Sequence, residues 1–234
     1  MEHLVHFDEL DSTNTYLKKN WESLPPDTVV VANKQTTGRG RYNRVWVSQE
    51  GGLYFSVLLQ PTRQDFLPNL TQLMALCICQ TLETAGLNPQ LKWPNDVLIN
   101  GQKICGILSE AVVKGSCIGA VVLGVGLNLS QEGLEQIDQP ATSLKKLGIN
   151  TEKEVLLQQI LEYFWKGYSL LCESGFQTIR TAYKERSGFL GKEISVTNND
   201  KTIFGLAEDI SARGTLLLRT EKGLEEIYIG DVKV

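Results

Sequence analysis

The chain of 234 residues is long enough for one large domain, or for a main domain with a small appendage. Hydrophobic residues make up 42% of it and charged residues 21%, which excludes a disordered chain, a collagen-like repeat and a disulfide-stapled miniprotein. The net charge of −4 disfavours a dedicated duplex-DNA-binding protein, because such proteins are normally basic.

The pattern of apolar residues predicts an α+β first domain with a mostly antiparallel mixed sheet flanked by helices. Strands are predicted at 4–7, 28–33 and 53–60, and a helix opens at Ser12-Thr13-Asn14 and ends before Pro25-Pro26. A helix at 70–85, closed by Gly86, precedes strands at 90–99, 102–113 and 117–129. Two more helices are predicted at 155–171 and 176–186.

The pattern changes after Ser187-Gly188 to short strands separated by polar turns. These strands are predicted at 193–197, 202–210, 215–220 and 224–229. Four strands in about fifty residues are typical of a small antiparallel barrel. We therefore expect a first domain over 1–187 and a small C-terminal β-barrel domain over 188–234.

The composition indicates a soluble cytoplasmic protein with no membrane association. The chain has 5 cysteines without C-x-x-C spacing, and their apolar neighbours predict small buried side chains in a reducing compartment. Met1–Val5 already carries Glu2 and His3, unlike a signal peptide, and no apolar run approaches the roughly 18 residues of a membrane helix. The 2 histidines lie at the N-terminus, which makes a zinc site improbable.

A basic, glycine-rich segment at 34–52 is predicted to be a long loop. It contains Gly38-Arg39-Gly40-Arg41-Tyr42-Asn43-Arg44-Val45-Trp46 and has no acidic residue before Glu50. Glycines let backbone N–H groups approach a ligand, and arginines match phosphate oxygens, so an anion such as a nucleotide triphosphate or an adenylate suits this loop. A solvated basic loop is the alternative. The chain lacks both the G-x-G-x-x-G and the P-loop patterns.

A hairpin around Asn100-Gly101 places a lysine near an aspartate. A two-residue turn pairs Ile99 with Gln102 and, continuing outward, Leu98 with Lys103, Val97 with Ile104 and Asp96 with Cys105. Asp96, Leu98, Lys103 and Cys105 then share a face, with Asp96 and Lys103 as diagonal neighbours about 7–8 Å apart. The two charges need each other or a ligand among apolar neighbours, so a structural ion pair and a ligand site are both open.

At this point the motifs resemble those of biotin–protein ligases, also called biotin–[acetyl-CoA carboxylase] ligases. The matching pieces are Ser12-Thr13-Asn14, Gln35, the Gly-Arg loop through Trp46, Lys92-Trp93-Pro94-Asn95-Asp96, Asn100-Gly101 with Lys103, Gly106-Ile107-Leu108 and Glu110, and Gly124-Val125-Gly126-Leu127-Asn128. They occur in family order across most of the first domain. The resemblance implies a class II synthetase-like catalytic domain with an SH3-like C-terminal barrel.

The family reaction joins biotin to ATP to give biotinyl-5′-AMP and pyrophosphate, and then transfers biotin to a lysine of the biotin carboxyl carrier protein of acetyl-CoA carboxylase. Carried over by motif, the catalytic residues are Lys103, Arg39, Arg41 and Asp96. The biotin-binding residues are Ser12, Thr13, Asn14, Gln35, Arg39, Gly40, Arg41, Trp46 and Lys103. The ATP-binding residues are Arg41, Arg44, Lys92, Trp93, Asn95, Asp96, Lys103 and Asn128, with Asp96 as a candidate ligand of Mg²⁺.

The resemblance also sets expectations for the loop and the partners. Tyr42-Asn43 stands where the family usually has Arg-Gly, and the Ser-Thr-Asn element begins at Ser12, which fits a short form without a winged helix and without DNA as a partner. Because three arginines repel until an anion offsets them, residues 36–51 are expected to be mobile until biotin and ATP order them. The oligomeric state stays open, a homodimer included.

Two alternatives to a biotin–protein ligase remain: a ligase for a different substrate, and a protein of a different functional class. A lipoate–protein ligase resembles this family in fold and reaction, but its dithiolane substrate needs few of the polar groups that Ser12-Thr13-Asn14 and Gln35 supply. A biotin-responsive repressor or binding protein is disfavoured by the net charge of −4 and by the retained Lys103.

Overall fold

The structure is a computed structural model that describes residues 3–137, 139–198 and 201–233. Its four α-helices are α1 (Thr13–Asn20), α2 (Asn69–Thr84), α3 (Lys153–Ser174) and α4 (Gln177–Glu185). The first sheet contains β1 (Leu4–Leu10), β2 (Val29–Gln35), β3 (Leu53–Leu59), β4 (Pro89–Lys92), β5 (Asp96–Ile99), β6 (Gln102–Lys114) and β7 (Cys117–Leu127). The second contains β8 (Glu193–Asn198), β9 (Lys201–Ile210), β10 (Leu216–Thr220), β11 (Gly223–Ile227) and β12 (Asp231–Lys233).

The first sheet is mostly antiparallel, as the sequence predicted. Its strand order is β1-β2-β3-β7-β6-β5-β4, and among these neighbours only β1 and β2 run parallel. All seven residues of β3 are buried, which explains its continuous apolar run. Val57 packs in the large core with α2 and α3, whereas Leu58 packs with Leu17 of α1 on the opposite face.

The prediction of one continuous strand over 90–99 is wrong, because the chain reverses its direction within this segment. β4 and β5 are two antiparallel strands joined by a turn through Trp93, Pro94 and Asn95, with a cis peptide bond between Trp93 and Pro94. Proline has no N–H to donate to a sheet, so a strand does not continue through Pro94. The turn places Asn95 and Asp96 beside β6.

The predicted register of the Asn100-Gly101 hairpin is correct for its first two pairs and wrong beyond them. Leu98 pairs with Lys103 as expected, but Val97 then pairs with Cys105, and Asp96 with Gly106. The register shift leaves Ile104 as an extra residue in β6, which is a β-bulge. Cys105 is therefore fully buried in the core and does not share the face of Lys103.

The cysteines follow the prediction in part. Cys77, Cys79 and Cys105, the three core thiols, are buried, and burial raises the pKa of each. Cys117 at the start of β7 is exposed and Cys172 of α3 is only partly buried, so the expectation of a buried side chain is wrong for both.

The C-terminal strands form an antiparallel sheet with one strand more than the four predicted. Its order is β11-β10-β9-β8-β12, and within the described residues the two end strands are not paired, so the predicted barrel is not closed. The sheet shares the large core with the first domain through residues such as Val196 and Val232. Polar contacts add to this: the Trp93 indole donates to the Gly214 carbonyl at 3.2 Å, and Asp209 accepts from Arg180 of α4 at 2.8 Å.

Across the part of the chain that is described, no helix has the length and apolar character needed to cross a membrane.

Candidate active site

A cleft lies over β6 and β7, where the start of α1, the Gly-Arg loop and the turn between β4 and β5 meet. It brings together twelve of the residues singled out from the sequence. These are Ser12, Thr13, Asn14, Gln35, Arg39, Gly40, Arg41, Arg44, Trp46, Asn95, Asp96 and Lys103. Motifs from five separate segments of the chain therefore line one cavity.

The floor of the cleft is backbone, because three glycines replace side chains there. Gly106 of β6 lies opposite Gly126 of β7 in the sheet. A Cβ atom on Gly126 would come within 2.2 Å of Trp46 Nε1, and one on Gly124 within 2.1 Å of Asn14 Oδ1. The glycines therefore leave the space that Trp46 and Asn14 occupy, which is the close approach expected of glycine inside a strand.

One end of the cleft is lined by neutral hydrogen-bonding groups. The Thr13 backbone N–H donates to Gln35 Oε1 at 2.9 Å, and Gln35 Nε2 donates to Ser48 Oγ at 2.9 Å. Ser56 Oγ lies 2.6 Å from both Thr13 Oγ1 and Asn14 Oδ1. Ser12 caps α1 as predicted, with its Oγ accepting from the Thr15 N–H. Ser48 and Ser56 were not predicted, because neither belongs to a motif that was singled out.

Glu110 anchors this neutral end without lying among the cleft-lining residues. Asn14 Nδ2 donates to Glu110 Oε2 at 2.7 Å, and Lys18 Nζ lies 2.5 Å from Glu110 Oε1. The orientation of the Asn14 amide is thus fixed, so its oxygen faces Ser56. The resemblance included Glu110 in a motif, and this contact gives it a structural role.

Trp46 covers the glycine floor. Its indole lies above Gly106 and Gly126. The Nε1–H is buried and has no acceptor among the described residues, so it can stabilise an acceptor on a ligand. Lys103 Nζ lies 5.2 Å from the centroid of the indole, within cation–π range.

Lys103 and Asp96 meet as the hairpin predicted, although the register between them differs. Their Nζ and Oδ1 atoms are 2.7 Å apart, and the side chains are only 14% and 12% exposed. The bulge at Ile104 places Gly106 opposite Asp96, and the missing side chain at Gly106 leaves room for the lysine. Both residues line the cleft together with the neutral groups and the arginines.

The Gly-Arg loop is folded over the cleft. Arg39 and Val45 form an isolated bridge, and Tyr42 between them has a left-handed backbone with φ 55°. The guanidinium groups of Arg41 and Arg44 lie 5.0 and 5.6 Å from the Tyr42 ring centroid. Arg39 is exposed and makes no ion pair within the described residues, so it is the arginine most available to a ligand.

Asp231 of β12 also lines this cleft, which the sequence did not predict. Its carboxylate lies 3.2 Å from Arg41 Nη1 and 2.5 Å from Arg44 Nη2. Arg41 Nη1 also donates to Asn95 Oδ1 at 3.1 Å and to the Gly230 carbonyl at 3.2 Å. The C-terminal domain therefore supplies an anionic group to a cavity built mainly by the first domain.

Three residues predicted to bind ATP do not line the cleft. Trp93 is 3% exposed and packs in the core, and Lys92 lies on β4 next to it. Asn128 is buried, and its Nδ2 donates to the carbonyl of Thr142 at 3.0 Å. Thr142 N in turn donates to the Lys103 carbonyl at 3.0 Å. Asn128 therefore helps to position the backbone of Lys103 through Thr142 and does not contact the cleft itself.

Comparison with known proteins identifies relatives along the whole chain. A model of the biotin/lipoate A/B protein ligase family matches residues 6–128, and a model of the biotin protein ligase C terminal domain matches residues 189–234. The bifunctional ligase/repressor BirA of Bacillus subtilis is 36% identical over 241 residues, covering 100% of this chain and 74% of that protein. A biotin–[acetyl-CoA-carboxylase] ligase of Paracoccus denitrificans is 31% identical over 231 residues, covering 95% and 96%.

A solved structure agrees with the same relationship. The biotin protein ligase of Aquifex aeolicus, in complex with biotin and ATP, is 32% identical and has a TM-score of 0.89. The match covers 100% of this chain and 98% of that one.

Proposed function

The chain belongs to the biotin/lipoate A/B protein ligase family, and we propose that its cleft joins biotin to ATP and passes the biotinyl group to a lysine of a biotin carboxyl carrier protein. One observation carries the proposal. A single cavity is lined both by neutral hydrogen-bonding groups and by arginines, and the paired Lys103 and Asp96 lie in the same lining. Biotin has a neutral ureido ring at one end and a carboxylate at the other, so the cavity offers partners to both ends of the molecule.

The neutral end favours biotin over lipoate. Thr13, Asn14 and Gln35 line the cleft and carry donors and acceptors that suit a ureido carbonyl and its two N–H groups. The dithiolane of lipoate has no such groups, so it cannot make the hydrogen bonds that these side chains offer to a ureido ring. A site built around hydrogen bonds rejects an analogue that lacks them by about 10⁴–10⁵-fold.

The first chemical step needs charge neutralisation more than proton transfer. The biotin carboxylate is ionised at pH 7, so its oxygen attacks the α-phosphorus of ATP directly. A carboxyl–phosphorus bond forms, the bond to the β-phosphate oxygen breaks, and pyrophosphate leaves. We assign Lys103 to the negative charge that builds on the α-phosphate oxygens, and Arg39, Arg41 and Arg44 to the phosphates.

In the second step the amine of the carrier lysine attacks the acyl carbon of biotinyl-AMP, an amide forms and AMP leaves. Trp46 and the folded loop cover the cleft, and this supports a role in shielding the adenylate from water between the two steps. The acceptor proposed is the carrier protein of acetyl-CoA carboxylase, in line with the name of the Paracoccus relative.

Mg²⁺ enters the proposal as an ion held mainly by the phosphates of ATP. No group of three His, Cys, Asp or Glu side chains among the described residues could hold a metal ion, and Asp96 is already paired with Lys103. Mg²⁺ commonly uses only one or two protein carboxylates beside substrate phosphates, so a single carboxylate such as Asp96 fits that use. When bound, the ion would offset the charge of the leaving pyrophosphate.

The proposed setting is the cytoplasm, with protein and small-molecule partners. All five cysteines are free thiols, which suits a reducing compartment. The 234 residues carry a net charge of −4, so we do not expect this chain to bind duplex DNA at physiological salt.

A transfer assay tests the proposal. The protein is incubated with ATP, Mg²⁺ and biotin beside a biotin carboxyl carrier domain, and beside the same domain with its acceptor lysine changed to arginine. Labelling of the first acceptor and not of the second, detected with streptavidin, is the expected result. Addition of lipoate to the carrier lysine when lipoate replaces biotin, detected by mass spectrometry, or no labelling at all with biotin, would contradict the proposal.

A further inference from the structure

A carboxylate of the C-terminal domain neutralises the arginines of the Gly-Arg loop. Asp231 accepts from Arg41 Nη1 at 3.2 Å through Oδ1 and from Arg44 Nη2 at 2.5 Å through Oδ2. Its side chain is 22% exposed, and it begins β12, the strand at one end of the C-terminal sheet. Two oxygens of one anion thus engage two arginines that are 187 and 190 residues away in the sequence.

The donors that Asp231 engages are the donors that a nucleotide phosphate would need. Charge-assisted hydrogen bonds from guanidinium groups serve carboxylate and phosphate oxygens with the same geometry. Both terminal nitrogens of Arg41 already have protein acceptors, since they also bond to Asn95, to the Gly230 carbonyl and to the Tyr42 hydroxyl at 3.2 Å. Asp231 and phosphate therefore compete for these donors.

The loop conformation depends on this neutralisation. Tyr42 and Asn43 both have left-handed backbones, with φ 55° and 57°, which is strained for tyrosine. The Tyr42 ring lies near both guanidinium groups, so it brings two like charges together. An anion between the arginines offsets their repulsion, and Asp231 supplies that anion.

We propose that Asp231 is a positioning residue whose carboxylate takes the place of a nucleotide phosphate between Arg41 and Arg44, and that ATP displaces it. This inference rests on the proposed function, because it assumes that these arginines bind phosphate. The C-terminal domain then holds the loop over the cleft before substrates arrive, and nucleotide binding exchanges one anion for another.

Asp209 provides a matched control. It lies in the same C-terminal sheet and also links the two domains, through Arg180 Nη2 at 2.8 Å and Lys184 Nζ at 2.6 Å of α4. It does not line the cleft. Replacing it with asparagine removes a domain-linking carboxylate without touching the loop.

The first experiment measures biotinyl-AMP formation by Asp231→Asn, Asp231→Glu and Asp209→Asn. Asp231→Asn has no internal anion to displace, so its KM for ATP should fall by about three- to fivefold, the range of a partly exposed ion pair. Its KM for biotin should not change. Asp231→Glu keeps the charge and should behave like the wild type, as should Asp209→Asn.

The second experiment follows the loop itself by limited trypsin digestion and does not require catalysis. Without ligand, Asp231→Asn should be cut after Arg39, Arg41 or Arg44 faster than the wild type and faster than Asp209→Asn. Inorganic pyrophosphate should protect Asp231→Asn at lower concentration than it protects the wild type. Because pyrophosphate alone is the probe, this result holds even if the protein fails to adenylate biotin, which would refute the proposed function instead.

The outcomes are distinct. An unchanged KM for ATP together with unchanged digestion in Asp231→Asn would make Asp231 a simple link between domains. A raised KM for ATP would show that Asp231 assists nucleotide binding and is not displaced by it. If Asp231→Glu matches Asp231→Asn in either assay, the charge is not the determinant and the inference fails.

Discussion

Replacing Lys103 with alanine should nearly abolish adenylation while leaving biotin binding largely intact. Its ammonium group lies 2.7 Å from Asp96, 14% exposed and 5.2 Å from the Trp46 ring, so it acts where little water is available. Loss of one such donor to a developing oxyanion costs about 3–4 kcal/mol, or about 10²–10³-fold in rate. The carboxylate of biotin loses one contact, but its ureido ring keeps all of its partners.

The same substitution affects stability, and the two effects can be separated. Alanine at position 103 leaves the Asp96 carboxylate, 12% exposed, without its cation, which should cost about 1–3 kcal/mol of unfolding free energy. The double variant Lys103→Met with Asp96→Asn removes both charges. It should recover most of that stability and none of the adenylation rate. Lys103→Arg should rescue poorly, because Gly106 and Trp46 leave space for a single ammonium group.

Lys114→Ala is a matched control for Lys103→Ala, because Lys114 is a lysine of the same strand that does not line the cleft. It forms an ion pair with Glu22 at 2.7 Å and lies 5.6 Å from the Trp21 ring, but it is exposed at the far end of β6. The assay is single-turnover formation of biotinyl-AMP, with biotin affinity and thermal unfolding measured on the same samples. Near-normal adenylation by Lys103→Ala would refute this reasoning and leave the lysine as a structural partner of Asp96.

Three further predictions use other parts of the structure. Gly126→Ala should weaken biotin binding about tenfold, as measured by calorimetry, because the new methyl group collides with Trp46 over the cleft. Gly119→Ala on the same strand is the control and should lower only the stability of the protein. Ellman's reagent should react quickly with Cys117 in the native protein and with the three core thiols only after unfolding; fast reaction of all of them would contradict the buried positions. Burial works to raise the pKa of Asp209, but the hydrogen bonds from Lys184 and the Ile210 N–H, together with the charges of Lys184 and Arg180, outweigh it and hold that pKa below its usual value. The ion pair of Asp209 with Lys184 stabilises the fold at pH values above the pKa of Asp209 in the unfolded chain. This stabilisation is lost as the pH falls through the pKa of Asp209 in the folded protein. Asp209→Asn should therefore lower the free energy of unfolding by about 1 kcal/mol at pH 7 and leave it unchanged near pH 2, as measured by urea titration.

Local patterns were enough to predict much of the fold. The apolar run of β3 indicated a buried strand, and Asn100-Gly101 fixed the pairing of Leu98 with Lys103. The bulge that follows had no signal, because Ile104 and Cys105 are both apolar and fit the core in either register. The sequence therefore predicted the meeting of Lys103 and Asp96 without the geometry that produces it.

The candidate site was predictable where short motifs supply it, and less so where distant segments meet. Ser12-Thr13-Asn14 and Gln35 reach the same end of the cleft, as their motifs indicated. Trp93 belongs to a motif too, yet it packs in the core, because a motif can fix a turn as well as contact a ligand. Asp231 could not be predicted, since its pairing with Arg41 joins residues 190 positions apart and depends on how the two sheets pack.

The most direct test of the account is ATP–pyrophosphate exchange by the purified protein, measured with biotin, with lipoate and with neither. The account predicts exchange that requires biotin and that lipoate supports at least about 10⁴-fold less well. It also predicts that Lys103→Ala lowers this exchange about 10²–10³-fold. Exchange that is equal with lipoate, or that proceeds without any acid, would contradict it.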